Sequence, residues 1–562
     1  MRLLLRRAGV RRRLLSALAG DGVPPRAAGA VYAFGDNSHG AAGQPAPPAA
    51  DVYVPTPVPS LPPSVAAVAA GHYHSLAVSS EGEVWAWGRN DEGQLGRGLQ
   101  APRSTWSKPE QVRGLENVQV RAVSASGVVS AAIGCDGSLW VWGRSKRGQL
   151  GLGKDIVEAT VPSRVEALAC YDIVKVSFGW GHAMALTEDG RLFGWGYSEN
   201  GRLGEIGQIT QAPSAKELLG KTVDEYSSSM LEAVDKMVAE KIKSEDNMPI
   251  IWEPSLVHEV SHVEVSDVSC GLDHSLILCL VLPPFQHISV PVHLGERAAD
   301  GIVLSGGDNT YGQLGRKSTW SKLLPVDISH SPFSLSASVG HSLATCTIST
   351  EGADSAETGV LSWGWNCSSQ LGRPGKEDIP ALIDDLNRER PVSASAGRVH
   401  SVVLTSKGEV WAWGSGRNGR LGLGSSMDES EPCLIDTLEE AVVSQVAAGM
   451  DHTLLLINSE AQPNNPSTPI SSIGIVFFFP RGYGPNDGEG IGGDQAAAAM
   501  GLAGRGVVGE KWSQRVLWLC AIGSAVSLYF VAVERQTQNR ARAVAEGLKA
   551  LDGAGPGAGE DV

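Results

Sequence analysis

Bulky and small side chains alternate over short stretches of this chain, and each stretch runs into a glycine-rich turn. The clearest stretch is 83–96, EVWAWGRNDEGQLG. It recurs almost intact at 409–422 (EVWAWGSGRNGRLG) and 138–151 (SLWVWGRSKRGQLG). Looser copies stand at 191–204, 302–315 and 360–372, and the most degenerate is 31–43, VYAFGDNSHGAAG. A period of two marks a strand, so Trp85, Trp87, Trp142, Trp195, Trp363 and Trp413 read as strand residues. Gly88, Gly143, Gly196, Gly307, Gly364 and Gly414 end those strands, and Gly93, Gly96 and their equivalents supply positive-φ turns at little steric cost.

A second module precedes most copies: a glycine, two residues, a histidine, a small polar residue and an apolar run. It reads Gly71-His-Tyr-His74, and its histidine returns as His182, His274, His400 and His452. Two copies are eroded, Gly127-Val-Val-Ser130 without histidine and Ser338-Val-Gly-His341 without the leading glycine. The glycine after the aromatic strand falls at 35, 88, 143, 196, 307, 364 and 414, with one interval stretched by an insertion. Short strands repeating about every 50 residues predict a β-propeller. The chain opens on a lone aromatic module and the repeats close on a lone histidine module at 449–457. The two halves pair to complete one blade. The expected fold is all-β, a seven-bladed propeller over 31–457 clasped by both ends.

Two stretches interrupt the repeats. Ser214 and Glu217 have the spacing of a helix capping box. Leu231, Val234 and Val238 then share one helical face, so 213–246 reads as a helical insertion with a possible partner-contact face. Residues 279–300 carry Pro283, Pro284 and Pro291 and are expected to loop out. The pentapeptide STWSK occurs at 104–108 and 318–322, each time after a GQLG turn. Trp106 and Trp320, exposed on loops, would suit a partner contact.

Composition changes the picture at the ends. Residues 1–20 hold six arginines and no acid, as in a mitochondrial transit peptide, with a linker to residue 30. Residues 458–515 are rich in Pro, Gly and Ser and read as a linker. Residues 516–533, VLWLCAIGSAVSLYFVAV, are uncharged and predict a single transmembrane helix built on Val516, Trp518, Leu519, Leu528, Tyr529, Phe530 and Val533. A polar tail, 534–562, follows. The expected location is a mitochondrial membrane.

Net charge is −15, and the arginines of the first twenty residues leave the remainder more acidic still. Direct DNA binding, which needs clustered cations, is therefore not expected. The eight cysteines show no C-x-x-C spacing and read as reduced, mostly buried thiols. The repeat histidines are spread round the ring, which suits imidazoles bonded to neighbouring backbone better than a metal site. No catalytic, cofactor or metal residues are expected.

The GHYHSLAV…GEVWAWGRNDEGQLG pattern resembles the repeat of the regulator of chromosome condensation family, its mitochondrial plant-type members in particular. The resemblance covers 31–457 and implies a seven-bladed propeller. It implies two kinds of work: guanine nucleotide exchange on a small GTPase, or non-catalytic scaffolding, in mitochondria of RNA processing or ribosome assembly. The tryptophan–arginine cluster of the plant ultraviolet-B receptor type is absent, since only Trp180 stands at such a tryptophan position and no arginine follows it. The scaffold is the preferred expectation, with an organellar ribonucleoprotein or a small GTPase as partner.

Overall fold

Each aromatic strand is the third of four antiparallel strands, counted outward from a central channel. The computed structural model describes residues 29–45, 51–98, 102–206, 249–280, 301–317, 322–348, 357–438 and 441–458. Blade 1 comprises Val65–Ala70, His74–Ser79, Val84–Gly88 and Glu110–Gln111. The innermost strands of blades 2 to 6 are Val120–Ala125, Ile173–Phe178, Glu264–Cys270, Ser331–Ala337 and Pro391–Ala396. Blade 7 takes Val443–Ala448 and His452–Asn458 from the far end of the repeats, then Gly29–Gly35 and Val52–Pro57 from the near end. All seven residues of Gly29–Gly35 pair in register, from Gly29 opposite Asn458 to Gly35 opposite His452. Gly29 also pairs with Val65, so blades 7 and 1 run together as one eight-stranded sheet. The propeller is thus all-β. Among the described residues no helix is long and apolar enough to cross a membrane. The expected insertion helix with Leu231, Val234 and Val238, together with Trp320 and the 516–533 span, lies outside the described residues.

Seven apolar clusters form the core, one across each seam between neighbouring blades. Across the first seam Trp142 of blade 2 meets Leu76, Val84 and Leu95 of blade 1. A buried indole needs a partner for its N–H. Trp87, Trp142, Trp195, Trp363 and Trp413 each donate to a carbonyl in the preceding blade's glycine-rich turn: Ala41, Gln94, Gln149, Gln313 and Gln370, at 2.7–2.9 Å. The turn's glycines therefore serve packing as well as chain reversal.

The fourth strand comes in two forms, and one residue decides which. Blades 2, 3, 6 and 7 have outer strands of six or seven residues. Blades 1, 4 and 5 have only two: Glu110–Gln111, Leu324–Pro325 and Ala381–Leu382. These three blades carry arginine directly after the turn, at Arg97, Arg316 and Arg373. Each guanidinium donates to the third-strand carbonyl of Ala86, Ser305 or Ser362 and to an outer carbonyl of Lys108, Lys322 or Ile379. A side chain here takes over bonds that a longer strand would make. Burial pushes the Arg97 guanidinium down to about 10.

Six of the seven turns place glycine in the left-handed region at the third residue before the final glycine. Blade 5 places Ser369 there, at φ 60°. A side chain in that region costs about 1 kcal/mol or more. Ser369→Gly is expected to stabilise the chain by about 0.5–1 kcal/mol after the glycine's extra unfolded-state entropy is subtracted. Urea unfolding midpoints of the two proteins check it; an unchanged or lower midpoint refutes it.

Candidate functional site

The repeat histidines begin the second strand of their blades and lie wholly buried at the seams. Their partners are side-chain hydroxyls of the next blade rather than backbone. His74 reaches Ser130, His182 Ser275, His274 Ser342, His341 Ser401, His400 Thr453, and His452 closes the ring onto Ser75, all at 2.8–3.1 Å. Ser75, Ser130, Ser342 and Ser401 donate their own protons to turn carbonyls at 2.7–2.9 Å. A hydroxyl whose proton is so used accepts from Nε2–H, which leaves Nδ1 unprotonated. That Nδ1 has no partner in His74, His182, His274 and His400. In His341 it accepts from Ser338 at 2.9 Å. Burial pushes His74 and His341 down to about 3 and His274 and His452 to about 4; His182 and His400 fall well below the usual range. Gly71 belongs to the same arrangement: a Cβ there would lie 2.5 Å from Cε1 of His74.

One seam lacks the relay. Val129 pairs opposite Gly143 as His74 pairs opposite Gly88. Val129, not Ser130, is therefore the residue in histidine's place, and Ser126 stands where the glycine should. The acceptor position across that seam is Ala183. Donor and acceptor are lost together, so neither is left buried without its mate. The buried Ser126 Oγ alone of this group has no hydrogen-bond partner among the described residues, and the apolar cluster there is the largest of the seven.

Two seams carry an added ion pair. Arg202 and Arg420 replace the turn glutamine of blades 1, 2, 4 and 5, and Asp273 and Asp451 precede the next blade's histidine. Arg202 pairs with Asp273, and Arg420 with Asp451, each at 2.5 Å. Asp451 also takes both oxygens to Arg398, at 2.6 and 2.7 Å. Among the described residues these are the only two turn arginines at that position and the only two aspartates before a repeat histidine. The pairing is visible in the sequence once the seams are known.

The channel opens on the face that carries the turns. A cavity of about 200 Å³ is lined by the ends of all seven innermost strands, with His72, Trp180, Leu272, Arg398 and Met450 at its rim. Trp180 is 42 % exposed, stacked on His72 at 5.7 Å and 10°, with Arg147 5.7 Å from its ring. A second cleft of about 680 Å³ lies between blades 4 and 5, beside Tyr311 and Trp365. Lys317, Glu377 and Asp378 leave its charge mixed.

Trp85 is half-buried against the blade 7–1 core. Trp106 is not an exposed loop residue: it is half-buried against the first seam, under Arg103 at 5.2 Å. The thiols also differ from expectation. Cys270, Cys279 and Cys346 are buried, Cys135, Cys170 and Cys367 exposed, and all the described cysteines are free. No group of three metal-capable side chains occurs among the described residues.

A family profile described as the RCC1-like domain matches residues 30–455. The ultraviolet-B receptor UVR8 of Arabidopsis thaliana is 27% identical over 436 residues, covering 76% of this chain and 82% of the receptor. The human regulator of chromosome condensation is 28% identical over 416 residues, covering 72% of this chain and 85% of the regulator. In structure, Prp20p from Saccharomyces cerevisiae, described with its binding to Gsp1p and histones, superposes with a TM-score of 0.57. It is 22% identical and covers 77% of this chain and 93% of Prp20p.

Proposed function

We infer the function from one premise: the chain belongs to the RCC1-like domain family. It works as a non-catalytic interaction scaffold, binding protein partners on the faces of its propeller. The observation that carries this reading is where the titratable groups go. The buried histidines are occupied in neutral bonds between blades, while an exposed tryptophan and cations stand at the channel mouth. The arginine-rich, acid-free 1–20 segment supports a mitochondrial setting, and there an organellar ribonucleoprotein, in RNA processing or ribosome assembly, suits the scaffold. The apolar 516–533 segment supports attachment to a membrane.

Exchange of guanine nucleotide on a small GTPase is the second reading, favoured by the 28% identity to the human regulator. The purified chain is expected to leave the release of a fluorescent guanine nucleotide from a Ran-type GTPase at its spontaneous rate. Dose-dependent acceleration would replace the scaffold reading with the exchange factor.

A further inference from the structure

Internal repeats provide their own control, because a place where one repeat departs from the other six has escaped the demands of the fold. The seam between blades 2 and 3 is such a place. It alone lacks the histidine relay, with Val129 and Ala183 where the other seams carry histidine and hydroxyl. Above it, at the channel mouth, the rim residue is Trp180, and the turn beside it reads Arg144-Ser145-Lys146-Arg147. Arg144 leans toward Glu158 at 3.9 Å. Lys146 is exposed, and neither it nor Arg147 makes an ion pair among the described residues. Two cations that make no ion pair among the described residues, beside an exposed indole, are conspicuous on a chain of net charge −15.

We propose that this corner of the channel mouth docks an acidic segment of a partner protein, Trp180 serving as the apolar anchor and Lys146 and Arg147 receiving its carboxylates. The anchor is preorganised. His72 stacks on the ring at 10° and Arg147 lies over it, so little rotamer freedom remains to be lost on binding. A guanidinium against an indole keeps N–H groups free for a carboxylate. The occupant is protein rather than nucleic acid for an electrostatic reason. A phosphate backbone draws its affinity from many cations in a row, whereas Asp91, Glu92 and Asp273 stand in the turns and loops of the same face. Two cations match a short acidic segment. The proposal rests on the scaffold reading but is decided separately, since that reading stands or falls on nucleotide exchange.

The test is fluorescence anisotropy on the full chain with a fluorescein-labelled peptide of alternating glutamate and leucine, beside a lysine–leucine peptide and oligouridylate. The acidic peptide is expected to bind, to weaken with salt, and to lose about tenfold or more in affinity with Trp180→Ala or Arg147→Glu. Lys407→Glu, in a hairpin at the opposite end of its strands, is expected to leave binding unchanged. Absence of binding, equal binding by the variants, tighter binding of the oligouridylate, or a self-association that Arg147→Glu dissolves would each overturn the proposal.

Discussion

Arg420→Gln is expected to lower the unfolding free energy by about 3 kcal/mol, and adding Asp451→Val is expected to restore most of it. Both side chains are almost fully buried at the blade 6–7 seam, 2% and 7% exposed, and pair at 2.5 Å. Removing one partner leaves a buried charge with only half its compensation, because Arg398 still reaches Asp451 from the rim at 2.6 Å. The double change is the chain's own alternative: the seams that follow Gln94 and Gln370 carry Val128 and Val399 in the aspartate's place. Arg202→Gln should cost less, about 1 kcal/mol, since Asp273 is 37% exposed and water can replace part of the pair. Urea unfolding of the unaltered chain, Arg420→Gln, Asp451→Val and the double variant measures the coupling. Additive losses at 420 and 451 would mean that the pair does not hold the seam.

Acid is expected to unfold the propeller cooperatively well above the pH at which exposed carboxylates alone would do so. Six histidines are neutral in the folded protein, those with values at about 3 to 4. In the unfolded chain they take up protons near pH 6.5. Each folded-state value is depressed, so its contribution is fully present above pH 6.5 and is lost as pH falls toward 4. The slope approaches about 1.4 kcal/mol per pH unit for each histidine. Six together amount to several kcal/mol by pH 5.5, comparable with the whole stability of many proteins. Tryptophan fluorescence followed from pH 8 to 3 should show one steep transition between pH 6 and 4.5, with the uptake of several protons. Retention of native fluorescence to pH 3.5 would refute it. Barring His→Gln at a relay position, which removes a titrating group along with a bond, no single surface substitution should shift the midpoint comparably.

The strands, their turns and the clasp were legible because each follows from local chemistry. Alternating Val84-Trp85-Ala86-Trp87 suits a strand with both faces packed, glycines in fixed places permit positive φ, and two unmatched half-repeats can pair only with one another. Helical periodicity at 213–246 and the apolar run at 516–533 are equally local signals, but they fall outside the described residues. What sequence reading missed lies between repeats. Counting from Gly127 puts Ser130 in the histidine's place, yet strand pairing puts Val129 there. The glycine is a misleading landmark because serine also occupies its position, as Ser126 before Val129 and as Ser338 before His341, where the hydroxyl bonds to the imidazole. Likewise the hydroxyl that receives each imidazole lies 53 to 93 residues onward in the chain, or 377 residues back for His452, and the arginine that answers Asp451 lies 31 residues earlier. The sequence by itself determined the repeat, the strand and the turn, since their forces act within a few residues. Only the closed ring decided which side chains meet across seams and which tryptophan is left facing solvent, because bonds between blades join residues that no local spacing brings together.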